Sequence, residues 1–498
     1  MSKTSFSKKL HLLSRSGFGI SPEQWLKIDS MSLEDTLRSL EKNAQSPLAS
    51  LSVVNVNVDQ SYRESIGLIG ALTPEDRRNI NRENVAKVRD LTIAWMNSML
   101  IDDNQLREKI ALFWHGHFAC RLDNAYFQQQ MLDVIRKNAL GNFADLLEGT
   151  SKCAAMLSFL NNQQNKKAHP NENFAREVME LFTLGRGHYT ESDIKEAARA
   201  FTGWSYNAKG EFTNNTKVHD DGTKTILGKT GNFTGDDVLK ILLENKQTAQ
   251  YISLKMYKYL VNDIPNEKHV NWLADRFYQS NYNIGSLVHD IFTAGWFYQK
   301  ENMGAIIKSP VDLLVNIQRT LPMKIENPDR LLIFNDALGQ KPFYPPNVAG
   351  WPGGTSWIDS SSLMLRLKIP QLIEENKAIH ITTKVDDDVQ MGRKMMNADS
   401  VNSSNSMMAM DMQSSKPVPK KNSNKIEASI EWDSLLKVLE PVKDQDLFAT
   451  VSQIVLGASS DKFEQTIIEK KVPLNPDRKV YVKNLMLAMM STPEFQLS

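Results

Sequence analysis

Apolar residues recur along most of this chain at intervals of three and four, the spacing that puts them on one face of an α-helix. Strand patterns are scarce, and the best is one hairpin over residues 211–227 that turns at Asp220-Asp221-Gly222. Thr190 and Asp193 form a capping pattern that predicts one further helix start. The fold is therefore predicted to be mainly α, a large irregular multi-helix bundle with one small β-hairpin. The other predicted helices cover residues 22–28, 33–40, 78–100, 106–118, 125–140, 237–244, 249–261, 270–278, 286–293, 311–321, 329–338 and 363–375.

The most charged helical stretch covers residues 171–185. Glu177 lies at the edge of its apolar face, and Glu180 is its neighbour three residues on. Such a carboxylate pair can bind a metal or share a proton. It can equally be the solvated flank of an amphipathic helix, with one glutamate held by an arginine. Arg176 points the other way, is spaced to pair with Glu172, and is a candidate for substrate contact.

Two short motifs carry histidines that could bind a metal. His115 and His117 stand two residues apart, so a continuous helix points them in opposite directions, whereas a break at Gly116 would let both rings converge. His219 and Asp220 bring further ligand atoms to the predicted hairpin turn. The alternative for this second pair is simply a turn, because Asp-Gly is a strong hairpin signal.

A loop over residues 344–357 is stiffened by prolines and carries aromatic rings. Trp351 and Trp357 could stack on a sugar or another flat ligand, with Asn347 as a polar contact. The same loop could instead be a fixed plug over the helical core. In either case we expect at least one of the two tryptophans to be largely buried against the helix bearing Glu177 or the helix after it.

Composition excludes several classes of protein. Lysine plus arginine number 59 and aspartate plus glutamate 58 among 498 residues, which leaves no electrostatic footprint for nucleic acid. No apolar run is long enough for a transmembrane segment, and two cysteines cannot form a disulfide scaffold or a cysteine zinc site. No signal peptide is evident, so the chain as written is expected to be cytoplasmic. If its start codon is mis-called, a periplasmic or secreted location is expected instead.

The pattern divides the chain into three parts. Residues 1–376 are predicted to form a helical body, and residues 430–498 are predicted to be C-terminal helices that pack on it. Between them, residues 377–429 are rich in serine, lysine and methionine, which predicts a disordered insert. Its clustered thioethers could bind Cu(I), but a linker with unselected methionines is favoured.

The chain carries short motifs at residues 11–19, 113–118, 171–185, 189–204, 219–220, 224–228, 308–310, 345–351 and 491–495. Together and in this order, they resemble the bacterial family catalogued as domain of unknown function 1800. The resemblance covers nearly the whole chain and implies no settled activity, hence no catalytic residues. Members of that family often have an export leader and are often encoded beside sulfatase-like proteins of domain of unknown function family 1501, which implies such a protein as a partner.

Two hypotheses about function follow. The first is a metal-dependent enzyme acting on a polar substrate, such as a glycan, with the candidate residues lining one cavity. The alternative is a non-catalytic helical partner or scaffold of the sulfatase-like protein, which expects a solid core and an exposed apolar patch. The enzyme hypothesis assigns a divalent metal to His115, His117, His219 and Asp220, catalysis to Glu177 and Glu180, and substrate contacts to Asn347, Trp351, Trp357 and Arg176.

Overall fold

The computed structural model is mainly α-helical, which confirms the predicted fold class. Its described residues hold 21 α-helices and three two-stranded antiparallel sheets, where the sequence predicted one hairpin. None of the helices in this part of the chain is long and apolar enough to cross a membrane. The structure describes residues 3–28, 30–48, 50–54, 73–376, 426–457, 460, 463–473 and 475–498.

Side-chain caps mark where several of the N-terminal helices begin. The Ser32 hydroxyl accepts a hydrogen bond from the N–H of Asp35, and Thr73 and Asp76 form a reciprocal capping box. Each cap satisfies backbone donors that a helix start would otherwise leave unpaired. The helices are α1 (Lys3–Ser16), α2 (Pro22–Ile28), α3 (Leu33–Ala44), α4 (Pro74–Leu100), α5 (Gln105–His117), α6 (Ala125–Asn138), α7 (Phe143–Lys152) and α8 (Ala154–Phe159).

The central part mixes helices with two small hairpins. Helix α9 (Asn173–Glu177) runs directly into a π-helical segment (Val178–Thr183). At its end the N–H of Leu184 donates to the carbonyl of Met179, five residues back, at 2.8 Å. The predicted capping box of Thr190 and Asp193 opens the next helix and is confirmed. The remaining elements are α10 (Glu191–Ala200), β1 (Trp204–Tyr206) paired with β2 (Phe212–Asn214), and β3 (Lys224–Ile226) paired with β4 (Lys229–Gly231).

The hairpin predicted over residues 211–227 is wrong in its turn. Strands β2 and β3 belong to different hairpins, and Asp220-Asp221-Gly222 lies in the connection between them. Asp220 there accepts a hydrogen bond of 2.7 Å from Nε of Arg199. The actual turn into β4 uses Leu227 and Gly228, which have φ values of 50° and 80°. The ion pair between Asp220 and Arg199 of α10 thus prevails over the preference of the Asp-Gly sequence for a hairpin turn.

The C-terminal part completes the body and includes a third sheet. Residues 377–425 of the predicted insert lie outside the described residues, so that prediction stays a prediction. The body resumes by Ile426, which is buried, a few residues before the predicted boundary. The elements are α11 (Gly235–Glu244), α12 (Lys246–Leu260), α13 (Glu267–Gln279), α14 (Ile284–Thr293), α15 (Pro310–Thr320), α16 (Leu332–Leu338), α17 (Ser360–Glu374), α18 (Trp432–Leu439), α19 (Asp444–Leu456), α20 (Gln465–Lys471), α21 (Arg478–Met490), and β5 (Met323–Ile325) paired with β6 (Ala428–Ile430).

Helix α5 lies at the centre of the packing, and all of its residues except Gly116 are buried. Its charged side chains are therefore buried as well. Glu108 accepts from Nε of Arg136 on α6 at 3.0 Å, from Nε1 of Trp95 at 2.7 Å and from the hydroxyl of Ser98 at 3.0 Å. Pairing of this kind is required because a buried charge without partners is costly.

We predict that Arg136→Met destabilises the chain strongly. It leaves the Glu108 carboxylate buried without its cation, which should lower the free energy of unfolding by about 3–5 kcal/mol. Urea denaturation of the full chain measures this. Arg38→Met is the matched control, because Arg38 pairs with Asp35 on the surface and the loss there should stay below about 1 kcal/mol. Equal losses in the two variants would contradict the prediction.

Candidate functional site

A cavity of about 590 Å³ lies beside the C-terminal end of α5. Helix α12 and the start of α15 form two of its walls, and the aromatic loop of residues 349–357 forms another. Its volume is in the range that small-molecule sites occupy. Its charged and titratable lining residues include Arg15, Lys109, His117, Lys255, Asp263 and Asp312.

The aromatic loop is held against the end of α5. Gly350 has a φ of 80°, and a Cβ on it would overlap the carbonyl oxygen of Gly116, so this crossing requires a glycine. The ring of Trp351 lies 5.7 Å from that of His115, centroid to centroid. Trp357 is buried and Trp351 is half-buried, which confirms that one tryptophan is hidden. Trp351 lies against α5, which was not the predicted packing partner.

An ion pair is part of the cavity lining. Nζ of Lys109 on α5 lies 2.6 Å from Oδ1 of Asp312, and both side chains are largely buried. Asp312 also accepts a hydrogen bond from the hydroxyl of Ser309, in the capping box that begins α15. The carboxylate is therefore fixed by its own helix, and it fixes Lys109 in turn. This ion pair joins two elements that are 203 residues apart in sequence.

Helix α12 and the residues after it supply titratable groups. Burial lowers the pKa of Lys255 to about 8 and raises the pKa of Tyr259 well above its usual value. Burial also raises the pKa of Asp263, although Arg15 and Lys258 oppose the shift. Of these groups, Lys255 has a pKa close enough to neutral for it to take up or release a proton there.

The two histidines of α5 point to different partners, as a continuous helix requires. Nε2 of His117 lies 3.1 Å from the carbonyl oxygen of Phe182, to which it donates, and its Nδ1 is buried without a partner among the described residues. Nε2 of His115 instead accepts from the N–H of Phe343 at 3.1 Å. Burial lowers the pKa of both rings, that of His115 to about 3, so both are neutral at ordinary pH.

The carboxylate pair of the central helix is not among the cavity residues. Glu180 accepts from the hydroxyl of Tyr189 and from Arg186, and these contacts lower its pKa. Burial, followed by the charge of Glu180, raises the pKa of Glu177. Arg176 pairs with Glu172 at 3.2 Å, as predicted, and with Glu191 at 2.7 Å.

His219 and Asp220, the ligands proposed at the hairpin turn, make hydrogen bonds within the fold. Nδ1 of His219 lies 2.8 Å from the carbonyl oxygen of Thr202. Asp220 receives two hydrogen bonds from Arg199, which lower its pKa to about 2. Asn347 is exposed, and its side chain accepts from the N–H of Ala349 within the aromatic loop. Of the predicted site residues, only His117, Trp351 and Trp357 therefore line the cavity.

The expected convergence of metal ligands is not found. Within the part of the chain that the structure describes, no three histidine, cysteine, aspartate or glutamate side chains are placed to hold one metal ion. The physical reason is that each proposed ligand already has another role. Phe343 occupies the nitrogen of His115, Arg199 holds Asp220, and Tyr189 and Arg186 hold Glu180.

Most of the polar residues that line the cavity were not among the predicted site residues. Ser309 and Asp312 could have been found, because Ser-Pro-Val-Asp is a capping-box pattern in front of a predicted helix. Lys255 and Asp263 carry no local signal. A lysine in an amphipathic helix is normally solvated, and only the packing of distant elements around this one makes it unusual.

We predict different costs for removing the two tryptophans. Trp357→Ala empties a buried site and should lower the free energy of unfolding by about 3–5 kcal/mol. Trp351→Ala removes a half-buried ring at the cavity and should cost less than half of that. Thermal melting and urea denaturation of both variants test this. A melting temperature of Trp357→Ala equal to that of the wild type would contradict it.

We also predict that His115 makes the fold sensitive to acid. Its pKa is about 3 in the folded chain, whereas an unfolded histidine titrates near ~6.5. Between these values only the unfolded chain binds the proton, so the free energy of unfolding falls as the pH falls from about 6.5 to about 3. His115→Gln should reduce this slope by up to about 1.4 kcal/mol per pH unit. Urea denaturation from pH 7 to pH 4 measures it, and parallel curves would count against it.

Comparison with known proteins identifies the family and nothing finer. Searches of curated proteins and of solved structures found no match to the chain. One family model matches residues 11–497, nearly the whole chain, and its description is a protein of unknown function. The motifs singled out in the sequence lie within that range, as do the residues of the cavity apart from Ser498. The chain therefore belongs to the DUF1800 family of proteins of unknown function.

Proposed function

We propose that the chain is an enzyme whose active site is the cavity beside α5 and whose substrate is polar, such as a glycan. One observation carries this proposal: aromatic rings and titratable groups with shifted pKa values line the same cavity. Groups of this kind cluster at active sites because catalysis needs proton donors and acceptors that burial has tuned.

Trp351 is the proposed binding platform. It is half-buried, lines the cavity and is backed by His115, so one part of the ring is fixed while another remains open. An indole held in this way offers a flat apolar surface to the apolar face of a sugar ring. Trp357 is buried beside it, and its role is to hold the loop in place.

Asp263 and His117 are the proposed proton-transfer groups. Burial raises the pKa of Asp263, which is the direction that a general acid requires. His117 is neutral and its Nδ1 has no partner among the described residues, so this nitrogen is available to accept a hydrogen bond. The proposal rests on these two residues with Trp351, and uses neither Glu177 and Glu180 nor a divalent metal.

The second candidate function is a scaffold for a sulfatase-like protein of family 1501. Two exposed apolar side chains near the start of α13 favour it, since Ile264 is 82% and Trp272 is 42% exposed. A docking surface needs a continuous apolar patch of several hundred Å². Two side chains supply only part of that, and a large cavity is not what a scaffold needs. We therefore favour the enzyme over the scaffold.

We predict that Trp351→Ala and Asp263→Asn impair different steps. The full chain would be screened against a panel of defined oligosaccharides, with binding measured by calorimetry and turnover by mass spectrometry of the products. Trp351→Ala should weaken binding about 10- to 100-fold, because it removes the stacking surface. Asp263→Asn should leave binding within a few-fold and lower the rate about 10²- to 10⁴-fold.

Trp272→Ala and Asp275→Asn are matched controls, since both side chains are exposed and neither lines the cavity. Both should bind and turn over the substrate as the wild type does. Unchanged binding by Trp351→Ala would overturn the proposed site. Binding by wild-type chain with no turnover of any panel member would overturn the enzyme and leave a binding protein.

A further inference from the structure

The side chains that line the cavity carry unequal charge. Four are basic, namely Arg15, Lys109, Lys255 and Lys258, whereas two are acidic. Lys109 is matched by Asp312 at 2.6 Å. None of the other three basic groups has an ion pair within 4.0 Å among the described residues. The charge of Asp263 acts on Arg15 and Lys258, and that of Asp312 also acts on Arg15. The cavity thus has an excess of positive charge in a partly dehydrated setting.

The buried guanidinium of Arg15 contributes to this excess of positive charge. Its side chain is 1% exposed, and only Nη2 has a partner, the carbonyl oxygen of Asn302 at 2.8 Å. Its Nε and Nη1 are buried without a partner among the described residues. Burial lowers the pKa of Arg15 to about 9, and the charges of Asp263 and Asp312 oppose this. A guanidinium with unpaired N–H donors attracts a nearby negative charge more strongly.

Two further buried cations lie close enough to Asp312 for its charge to act on them. Lys308 and Arg366 are both buried, and the Asp312 carboxylate acts on each of them as well as on Arg15. The Asp312 carboxylate therefore interacts with four buried cations, which are these three and its direct partner, Lys109. This excess of positive charge is unfavourable in the empty protein, and a bound anion would offset it.

Lys255 is the cation best placed to touch that anion. Its ammonium group has no hydrogen bond or ion pair within the described residues, and it lies 5.4 Å from the centre of the Tyr251 ring. The cavity lining includes this residue together with His117 and Trp351. A ligand that stacks on Trp351 would therefore have an unpaired ammonium group in the same cavity.

We propose that the cavity selects a substrate bearing an anionic group, a carboxylate, sulfate or phosphate, which binds the ammonium of Lys255 in the field of Arg15 and Lys258. The inference rests on the proposed function and specifies its substrate class. The same group could come from a free inorganic anion or from an acidic sugar. An acidic sugar also uses Trp351, whereas an inorganic anion does not, and this difference separates the two sources.

Protonation of Lys255 gives the proposal a pH signature. The titratable groups around it are His117 on α5, Tyr251, Lys258 and Tyr259 on its own helix, Glu180 beyond Tyr251, and Asp263 after α12. The pKa of His117 is well below the usual histidine value, and those of Tyr251 and Tyr259 are raised above the usual tyrosine value. Lys255, with a pKa of about 8, loses its charge as pH rises through that value. Anion binding should therefore weaken above pH 8.

The test compares three probes on the full chain by calorimetry: a galacturonate tetramer, the same tetramer with its carboxylates reduced to neutral alcohols, and inorganic sulfate. The acidic tetramer should bind at least about tenfold more tightly than the neutral one at pH 7. Lys255→Met should abolish that difference, and Lys255→Arg should retain it. Affinity for the acidic tetramer should fall between pH 8 and pH 9.5 in the wild type but not in Lys255→Arg.

Lys240→Met is the matched control, because Lys240 is exposed on α11 and outside the cavity. It should behave as the wild type. Equal binding of the two tetramers would overturn the anion inference and leave the proposed function standing. Sulfate binding that needs Lys255, without binding of either tetramer, would support the anion site and overturn the glycan substrate. Binding of none of the three probes, or a tetramer difference that survives in Lys255→Met, would overturn the inference.

Discussion

The structure depends on one constraint, which is that helix α5 is buried on every side while carrying charged residues. A helix in that position can keep its charges only if each finds a partner on a different neighbour. Arg107 donates to the carbonyls of Ala44 and Ser46, Glu108 pairs with Arg136, and Lys109 pairs with Asp312. Three consecutive residues thereby fix the positions of α3, α6 and α15 around the central helix.

The candidate site follows from the other end of the same helix. His115 accepts from the backbone of Phe343, His117 donates to the carbonyl of Phe182, and Gly350 crosses at Gly116. These contacts draw the aromatic loop and the π-helical segment to the last turn of α5. The cavity is the space that remains beside this junction, so the elements that stabilise the core also shape the proposed site.

Helices were predictable because their signals are local. Apolar spacing and caps located most of them to within a few residues. Helices α1, α7 and α8 were missed, and α18 to α21 were predicted only as one helical stretch. The π-helical segment could not be foreseen, since its apolar positions also fit an ordinary helix. The site was least predictable. Its main ion pair joins Lys109 and Asp312 across 203 residues, and the importance of Lys255 arises from burial by distant elements rather than from its neighbours in sequence.

The crossing of Gly350 over Gly116 has a consequence for how the cavity would respond to a ligand. Backbone in contact with backbone leaves little room for the loop to slide, and Trp357 anchors its far end in the core. The conformational entropy of this loop is therefore lost when the chain folds and not when a ligand binds. A ligand would meet a surface already in its final shape, and association should resemble the docking of rigid bodies, with little of the conformational penalty that a closing lid imposes.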